Sequence, residues 1–158
     1  MVHQSKAQDI LTVSEIDIVR RSFLNVSVEN ARAGEIFYQR LFDDKPELRG
    51  LFVGDISVQS EKLTNMLGMI VSQIHNLPDL LPMLGDLARR HLVYGVKIEH
   101  YEDVGRALLH MIRDVLGSDF TPEMEAAWTK AYDGIALTMI QSSFGKSNIS
   151  KYRAASNS

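Results

Sequence analysis

Apolar residues recur along this chain at intervals of three and four positions, the spacing of one face of an α-helix. Ile16, Val19, Phe23 and Val26 show the pattern, and it returns in each later segment. No segment alternates apolar and polar residues with the period of two that marks a strand. Gly34 lies inside a helical segment where it costs helix propensity, so we expect a close contact between two helices there. The chain is therefore predicted to be all-α, with seven or eight helices.

Capping residues and helix breakers set the expected limits of these helices. Thr12 and Glu15 have the spacing of a capping box, and Thr121-Pro122 is a second start signal. Pro46 suits the first turn of a short helix that ends near Phe52. The other expected helices run from about 29 to 43, from Asp55 or Ser57 to Asn76, from the region of Leu80 to Pro82 as far as Gly95, and from about 98 to 116.

The distribution of apolar residues predicts one domain with polar ends. Residues 1–10 and 145–158 are mostly polar or small, and we expect both segments to be flexible, the second as a tail or as a linker. Residues 11–144 would then form a single globular domain, long enough to bury a substantial core.

Composition narrows the classes of function. The net charge of -3 gives no reason to expect nucleic acid or an anionic membrane as a partner. No apolar run is long enough to span a membrane, and the N-terminus lacks the apolar core of a signal peptide, so we expect a cytoplasmic protein. The absence of cysteine excludes disulfides, thiolate metal sites and a prosthetic group attached through a thioether.

One histidine, His91, is distinguished by its surroundings. It lies near the end of an amphipathic stretch, and Tyr101 follows ten residues later. Upstream, Tyr38 is followed by Phe52 and then by Gln59. A nitrogen ligand, two polar donors and an aromatic wall are what a haem pocket needs. Each residue also has an ordinary interpretation: a core histidine, a tyrosine bonded to a backbone carbonyl, and a glutamine that points into solvent.

The joint spacing of these residues resembles the globin family, above all the bacterial single-domain globins and the globin domains of flavohaemoglobins. The resemblance covers about residues 10–144 and implies the globin fold around a haem pocket. The short gap from Phe52 to Gln59 leaves no room for an extra small helix, which is typical of the bacterial group. The matching segments are IFYQRLF (36–42), LF (51–52), QSEKL (59–63), RHLVYGV (90–96), HYEDVGRALL (100–109) and AAWTKAY (126–132).

The resemblance implies a role for each of these positions. It makes haem b, with its iron, the expected cofactor, His91 the proximal iron ligand and Tyr101 the residue beside that ligand. Tyr38 and Gln59 would donate hydrogen bonds to oxygen or another diatomic gas on the distal side. Arg90 would pair with a haem propionate, since guanidinium matches a carboxylate. The implied pocket lining is Phe52, Leu63, Val96, Val104 and Tyr132.

The sequence departs from the family at one position. In many bacterial globins a glutamate, fifteen residues after the tryptophan, supports the proximal histidine together with the tyrosine. That position is Ser143 here, and its neighbours Gln141, Ser142 and Phe144 are not acidic. A carboxylate bonded to the imidazole increases electron donation to the iron. Its replacement by serine therefore argues against peroxidase-like chemistry.

Several functions remain open at this point. The first is reversible oxygen binding, for storage, transport or scavenging, in which no side chain is catalytic. The second is nitric oxide dioxygenation. Because the chain stops where a flavohaemoglobin would continue, we expect that turnover to need electrons from a separate reductase. The third is a gas sensor that signals through the polar C-terminal residues. A haem-free sensor is disfavoured by the complete set of pocket residues.

Overall fold

The computed structural model describes residues 11–52, 54–145 and 152. Over residues 11–145, apart from Val53, it contains α-helices and two short 3-10 helices and no strand, which confirms the all-α prediction. None of the described helices is long and apolar enough to cross a membrane. The elements are α1 (Val13–Val28), α2 (Asn30–Asp44), the 3-10 helix η1 (Pro46–Leu51), α3 (Ile56–Ser72), α4 (Leu77–Val93), α5 (Ile98–Leu116), the 3-10 helix η2 (Gly117–Asp119) and α6 (Pro122–Phe144).

The flexible ends predicted for residues 1–10 and 145–158 lie outside the described residues, except for Gly145 and Tyr152. Gly145 ends α6 with a positive φ of 92°, a conformation that glycine adopts readily. Tyr152 is buried, a packing that the polar composition of this segment did not indicate.

Side-chain caps begin several of the helices. The Thr12 hydroxyl accepts a hydrogen bond from the Glu15 backbone N–H at 3.1 Å, and the Glu15 carboxylate accepts one from the Thr12 backbone N–H at 2.9 Å. This is the predicted capping box. Asp55 and Thr121 cap α3 and α6 through their side-chain oxygens. The described residues just before α3 form no separate helix, as expected from the short gap in the sequence.

Helix α4 is longer than the sequence indicated. The sequence analysis began this helix in the region of Leu80 to Pro82, whereas α4 begins at Leu77 and includes Pro82 in its interior. Proline lacks the N–H that would bond the carbonyl four residues earlier, so it weakens a helix locally. The preceding turn is retained because Leu80 and Leu84 are almost completely buried, in a cluster shared with α6. Pro78 stands in the first turn, where proline is well tolerated.

Helices α2 and α3 come into very close contact at Gly34 and Ser60. A Cβ atom placed on Gly34 would lie 2.5 Å from Ser60 Cβ and 3.0 Å from Ser60 Cα, so only glycine fits. The close contact predicted for Gly34 is therefore confirmed. Tyr38 lies one helical turn after Gly34, and Gln59 directly precedes Ser60. The contact thus fixes how the backbones of Tyr38 and Gln59 are placed relative to each other.

The core consists of two apolar clusters. The larger cluster joins α1, α2, α5 and the first half of α6, and includes Tyr38. The smaller cluster joins α4 to the second half of α6, and includes Tyr101 from α5. Tyr132 packs against both clusters. Helix α4 therefore rests chiefly on α6, and it has no comparable contact with α2.

We expect Gly34→Ala to lower the free energy of unfolding by about 1–3 kcal/mol, because the added methyl overpacks the contact with Ser60. Gly68→Ala is the matched control. Gly68 is also inside a helix, but its Cβ would meet only Phe23, at an ordinary distance of 3.7 Å. The control should be neutral or stabilising by up to about 1 kcal/mol, since alanine favours a helix over glycine. Guanidinium unfolding measures both, and equal stabilities would contradict the close contact.

Candidate functional site

His91 lies in the last turn of α4, and its ring is oriented by its own helix. Its Nδ1 lies 2.9 Å from the carbonyl oxygen of Leu87. A carbonyl can only accept, so Nδ1 carries the proton and Nε2 keeps a lone pair for a metal. Burial lowers the pKa of His91 more than the bond to Leu87 raises it, and the charge of Arg90 lowers it further. The neutral imidazole, which is the form that binds a metal, is therefore favoured.

The other described histidines are engaged elsewhere or lie in solvent. His100 Nδ1 accepts a hydrogen bond from the backbone N–H of Lys97 at 3.0 Å and so caps α5. His110 Nδ1 lies 3.1 Å from the guanidinium of Arg40 on α2. His75 is exposed between α3 and α4. None of these three shares the position of His91 beside the smaller apolar cluster.

Two tyrosines connect His91 to α5 and α6. The ring of Tyr101 stacks near the imidazole of His91, with the centroids 6.4 Å apart and the planes inclined by 22°. Burial raises the pKa of Tyr101 to about 12, so its hydroxyl stays protonated. The hydroxyl of Tyr132 donates a hydrogen bond to the backbone carbonyl of Tyr101. Tyr101 was expected beside His91, and the structure places it there.

Gly105 makes this arrangement of tyrosines sterically feasible. A Cβ atom on Gly105 would lie 2.8 Å from Cε2 of the Tyr132 ring. Glycine therefore lets the ring lie directly on α5. The sequence analysis did not assign this role to Gly105, although a glycine inside a helix is the same signal that identified Gly34.

Ser143 faces the helix that carries His91. Its hydroxyl donates a hydrogen bond to the backbone carbonyl of Ala88 at 3.1 Å, and Ala88 precedes His91 by three residues. The position therefore reaches α4, as the family's glutamate position would require. With serine there, the bond goes to the backbone of α4, while the His91 ring is bonded to Leu87.

Tyr38 is surrounded by aromatic rings. Its ring centroid lies 4.9 Å from that of Phe37, 5.2 Å from Phe52 and 5.7 Å from Phe42. Its hydroxyl makes no hydrogen bond to another described residue, so the ordinary interpretation with a backbone carbonyl is not observed. Burial raises the pKa of Tyr38 to about 12, because the charged phenolate is disfavoured away from water. The hydroxyl therefore stays protonated and can donate a hydrogen bond to a ligand.

Gln59 lies in the first turn of α3 and is half-buried. Its side-chain amide, like the hydroxyl of Tyr38, forms no hydrogen bond within the described part of the chain. An open cleft of about 350 Å³ lies beside Tyr38 and is also lined by Phe42 and Ile56. Two polar donors without protein partners thus lie near the contact between α2 and α3.

The five residues expected to line a haem pocket share an intermediate exposure. Each packs against one or both apolar clusters, yet none is fully buried. Apolar side chains that remain partly exposed beside a core form a surface that an apolar ligand can cover. Their chemistry fits a porphyrin. They are Phe52, Leu63, Val96, Val104 and Tyr132.

Arg90 is exposed and lies next to His91 on α4. Its guanidinium lies 3.7 Å from the carboxylate of Asp86, one turn earlier in the same helix. An exposed pair of this kind contributes little to stability, so the guanidinium can exchange partners at low cost. Pairing of Arg90 with a haem propionate stays a prediction.

Comparison with known proteins agrees with the all-α fold and with a haem cofactor. The globin family model matches residues 35–139. The chain is 36% identical to a flavohemoprotein of Bacillus subtilis over 107 residues, which are 66% of this chain and 27% of that protein. It is 30% identical to a flavohemoprotein of Vibrio cholerae over 134 residues, 83% of this chain and 34% of the relative. It is 35% identical to one of Bordetella parapertussis over 107 residues, 66% of this chain and 27% of the relative.

The chain belongs to the globin family. It is a haem-binding protein, and the neutral imidazole of His91 and the partly exposed apolar lining fit that cofactor. The chain spans only between about a quarter and a third of the length of the flavohemoproteins that it matches.

Proposed function

We propose that this globin binds oxygen reversibly, with His91 as the proximal ligand of a haem b iron. One observation carries the proposal. A neutral imidazole with a fixed ring is combined with a buried phenol, Tyr38, whose hydroxyl has no partner among the described residues. The haem supplies a ferrous iron that binds diatomic gases reversibly. We infer storage, transport or scavenging of oxygen in the cytoplasm as the role.

His91 would bind the iron through its imidazole and donate only a modest amount of electron density to it. The carbonyl of Leu87 orients the ring and presents Nε2. A neutral carbonyl is a weaker hydrogen-bond acceptor for the Nδ1 proton than a carboxylate would be. The imidazole therefore carries less negative charge than it would beside a carboxylate. This supports reversible ligand binding over peroxidase-like chemistry, in line with Ser143 at the glutamate position.

The role of Tyr38 and Gln59 is to donate hydrogen bonds to the gas ligand. Such donors would stabilise oxygen, a ligand that draws electron density toward itself, and would stabilise carbon monoxide much less. Each donor contributes roughly 1–2 kcal/mol, and every 1.4 kcal/mol changes affinity about tenfold. The contact of Gly34 with Ser60 positions both donors in advance, so little ordering is needed when a ligand arrives.

The apolar lining would hold the porphyrin and exclude water from it. Phe52 and Tyr132 offer aromatic rings, and the other lining residues offer aliphatic groups. Arg90 would pair with a propionate where the porphyrin edge meets solvent. Exclusion of water keeps the hydrogen bonds to the gas ligand strong, since they act in a low dielectric.

Nitric oxide dioxygenation is a second candidate, favoured by the similarity to proteins named flavohemoproteins. In this reaction oxygen and nitric oxide combine to nitrate, and one electron is consumed per turnover. We infer that a flavin-containing reductase would be the partner, because the name of these relatives joins a flavin to a haem. Nitrate formed in step with electron supply would favour this function, and oxygen release without nitrate would favour storage or transport.

His91→Ala should abolish tight retention of haem, and added imidazole should restore a five-coordinate ferrous absorption spectrum by replacing the lost nitrogen ligand. His75→Ala is the control, because His75 is exposed and lies between two helices. The control should keep its full haem content. Haem content and absorption spectra measure the outcome. Unchanged haem content and spectrum in His91→Ala would overturn the assignment of the ligand.

Tyr38→Phe should speed oxygen dissociation on the order of tenfold, as expected for the loss of one donor. Gln59→Leu should act in the same direction, to a lesser or comparable extent. Carbon monoxide dissociation should change little. The two effects should be non-additive if both side chains bond the same ligand atom. Stopped-flow measurements of both gases decide this, and unchanged oxygen rates in both variants would contradict the proposal.

The pKa of Tyr38 determines how the oxygen dissociation rate should depend on pH. Because burial raises the pKa of Tyr38 to about 12, the donating phenol is present below that pH and lost only above it. The oxygen dissociation rate should therefore stay constant through about pH 10, where an ordinary tyrosine is half ionised. An acceleration near pH 10 that is absent in Tyr38→Phe would contradict the buried placement of this hydroxyl.

Ser143→Glu should raise the iron–histidine stretching frequency in the Raman spectrum of the ferrous, ligand-free protein. The new carboxylate would lie near α4 and increase the anionic character of His91. Peroxidase activity should rise with it. Ser143→Gln has the same size without the charge and should leave the frequency close to that of the unmodified protein. Equal frequencies in the two variants would show that the position does not reach the imidazole.

A further inference from the structure

Tyr152 is a buried residue in a segment whose composition is polar. Its side chain is only 3% exposed, and its hydroxyl donates a hydrogen bond to Asp133 Oδ1 at 2.8 Å. Its ring belongs to the smaller apolar cluster, together with Tyr101 and residues of α4 and α6. Asp133 lies in the middle of α6, so the chain returns to that helix after leaving it at Gly145. The bond joins residues 19 positions apart.

A short series of contacts joins Tyr152 to His91. Asp133, the acceptor for Tyr152, directly follows Tyr132 in α6. Tyr132 donates its hydroxyl to the backbone carbonyl of Tyr101. The ring of Tyr101 then stacks near the imidazole, 6.4 Å between centroids. The three tyrosines are packed in or against the smaller apolar cluster, which also includes residues of the helix that carries His91.

The hydrogen bond from Tyr132 to the backbone carbonyl of Tyr101 requires that the Tyr132 hydroxyl stays protonated. Burial raises the pKa of Tyr132 well above its ordinary value, and nearby Tyr152, Tyr101 and Asp133 raise it further. The hydroxyl of Tyr132 therefore remains a donor.

We propose that Tyr152 is a positioning residue that docks on Asp133 and, through Tyr132 and Tyr101, adds to the orientation that the Leu87 carbonyl gives His91. The effect on the iron rests on the proposed function, in which His91 is the ligand. The docking of Tyr152 on Asp133 is independent of that function. Because coupling between two sites is reciprocal, binding of a gas at the haem then changes how firmly Tyr152 is docked. The docking of Tyr152 on Asp133 thereby reports the state of the site.

Substitutions can remove the Tyr152 hydroxyl or the Asp133 carboxylate and still leave a side chain of similar size. Tyr152→Phe keeps the ring and removes the donor, and Asp133→Leu removes the acceptor at similar size. Asp133→Asn keeps an acceptor oxygen and should rescue docking. Tyr94→Phe is the matched control, since Tyr94 lies near His91 but its side chain is 62% exposed.

Hydrogen exchange of the haem-loaded protein measures docking at the peptide that contains Tyr152. Exchange there should be on the order of tenfold faster in Tyr152→Phe and Asp133→Leu, the effect of one hydrogen bond to a charged group. It should be close to that of the unmodified protein in Asp133→Asn and Tyr94→Phe. Unchanged exchange in both disruptive variants would overturn the docking, whatever the role of His91.

Raman spectroscopy of the ferrous, ligand-free protein measures the positioning of His91. The iron–histidine frequency should shift in Tyr152→Phe and Asp133→Leu and stay constant in Asp133→Asn and Tyr94→Phe. Faster exchange without a shift of the iron–histidine frequency would mean that Tyr152 docks on Asp133 but does not affect His91, and this result would overturn the positioning role. A failure of His91 as the ligand is seen separately in His91→Ala, because exchange at Tyr152 does not depend on that assignment.

The reciprocal effect is measured by hydrogen exchange with and without carbon monoxide. Carbon monoxide should change exchange at the Tyr152 peptide in the unmodified protein and leave it unchanged in Tyr152→Phe, where docking is already lost. Equal exchange with and without the gas in the unmodified protein would overturn the coupling between the haem and the C-terminal residues.

Discussion

The packing of α4 against α6 is the constraint on which the candidate site depends. Leu80, Leu84 and Ala88 are buried in the cluster shared with α6, so the first part of α4 is held firmly. The end of the helix, with His91, is left only partly buried because α2 makes no comparable contact with it. A helix attached along one side in this way can present a ligand nitrogen toward a group placed beside it.

The opposite side of the site depends on a different kind of contact. Gly34 brings α2 against α3 at Ser60, and this close contact places Tyr38 and Gln59 on neighbouring helices. Aromatic rings then hold Tyr38 in position without bonding its hydroxyl. The donors are therefore fixed by steric contact and remain available for hydrogen bonds to a ligand.

The environment of His91 explains why we favour reversible gas binding. Its ring is oriented by the carbonyl of Leu87, and Ser143 bonds the backbone of α4 where the family's glutamate would stand. Both features keep the imidazole close to neutral. The contacts from Tyr101 through Tyr132 to Asp133 and Tyr152 extend this environment as far as Tyr152. Ligand binding at His91 and a response at Tyr152 are therefore compatible in one fold.

The sequence by itself determined the helical class, the capping of α1 by Thr12 and the tight contact at Gly34, because each depends on residues within one or two helical turns or on the size of a single side chain. Only the tertiary structure decided that α4 already begins at Leu77, that Ser143 bonds Ala88 and that Tyr152 is buried against Asp133. Ser143 and Ala88 are 55 positions apart, and Tyr152 and Asp133 are 19 apart. Contacts at such separations leave no periodic signal in the chain, since they arise only when distant parts of the chain pack together.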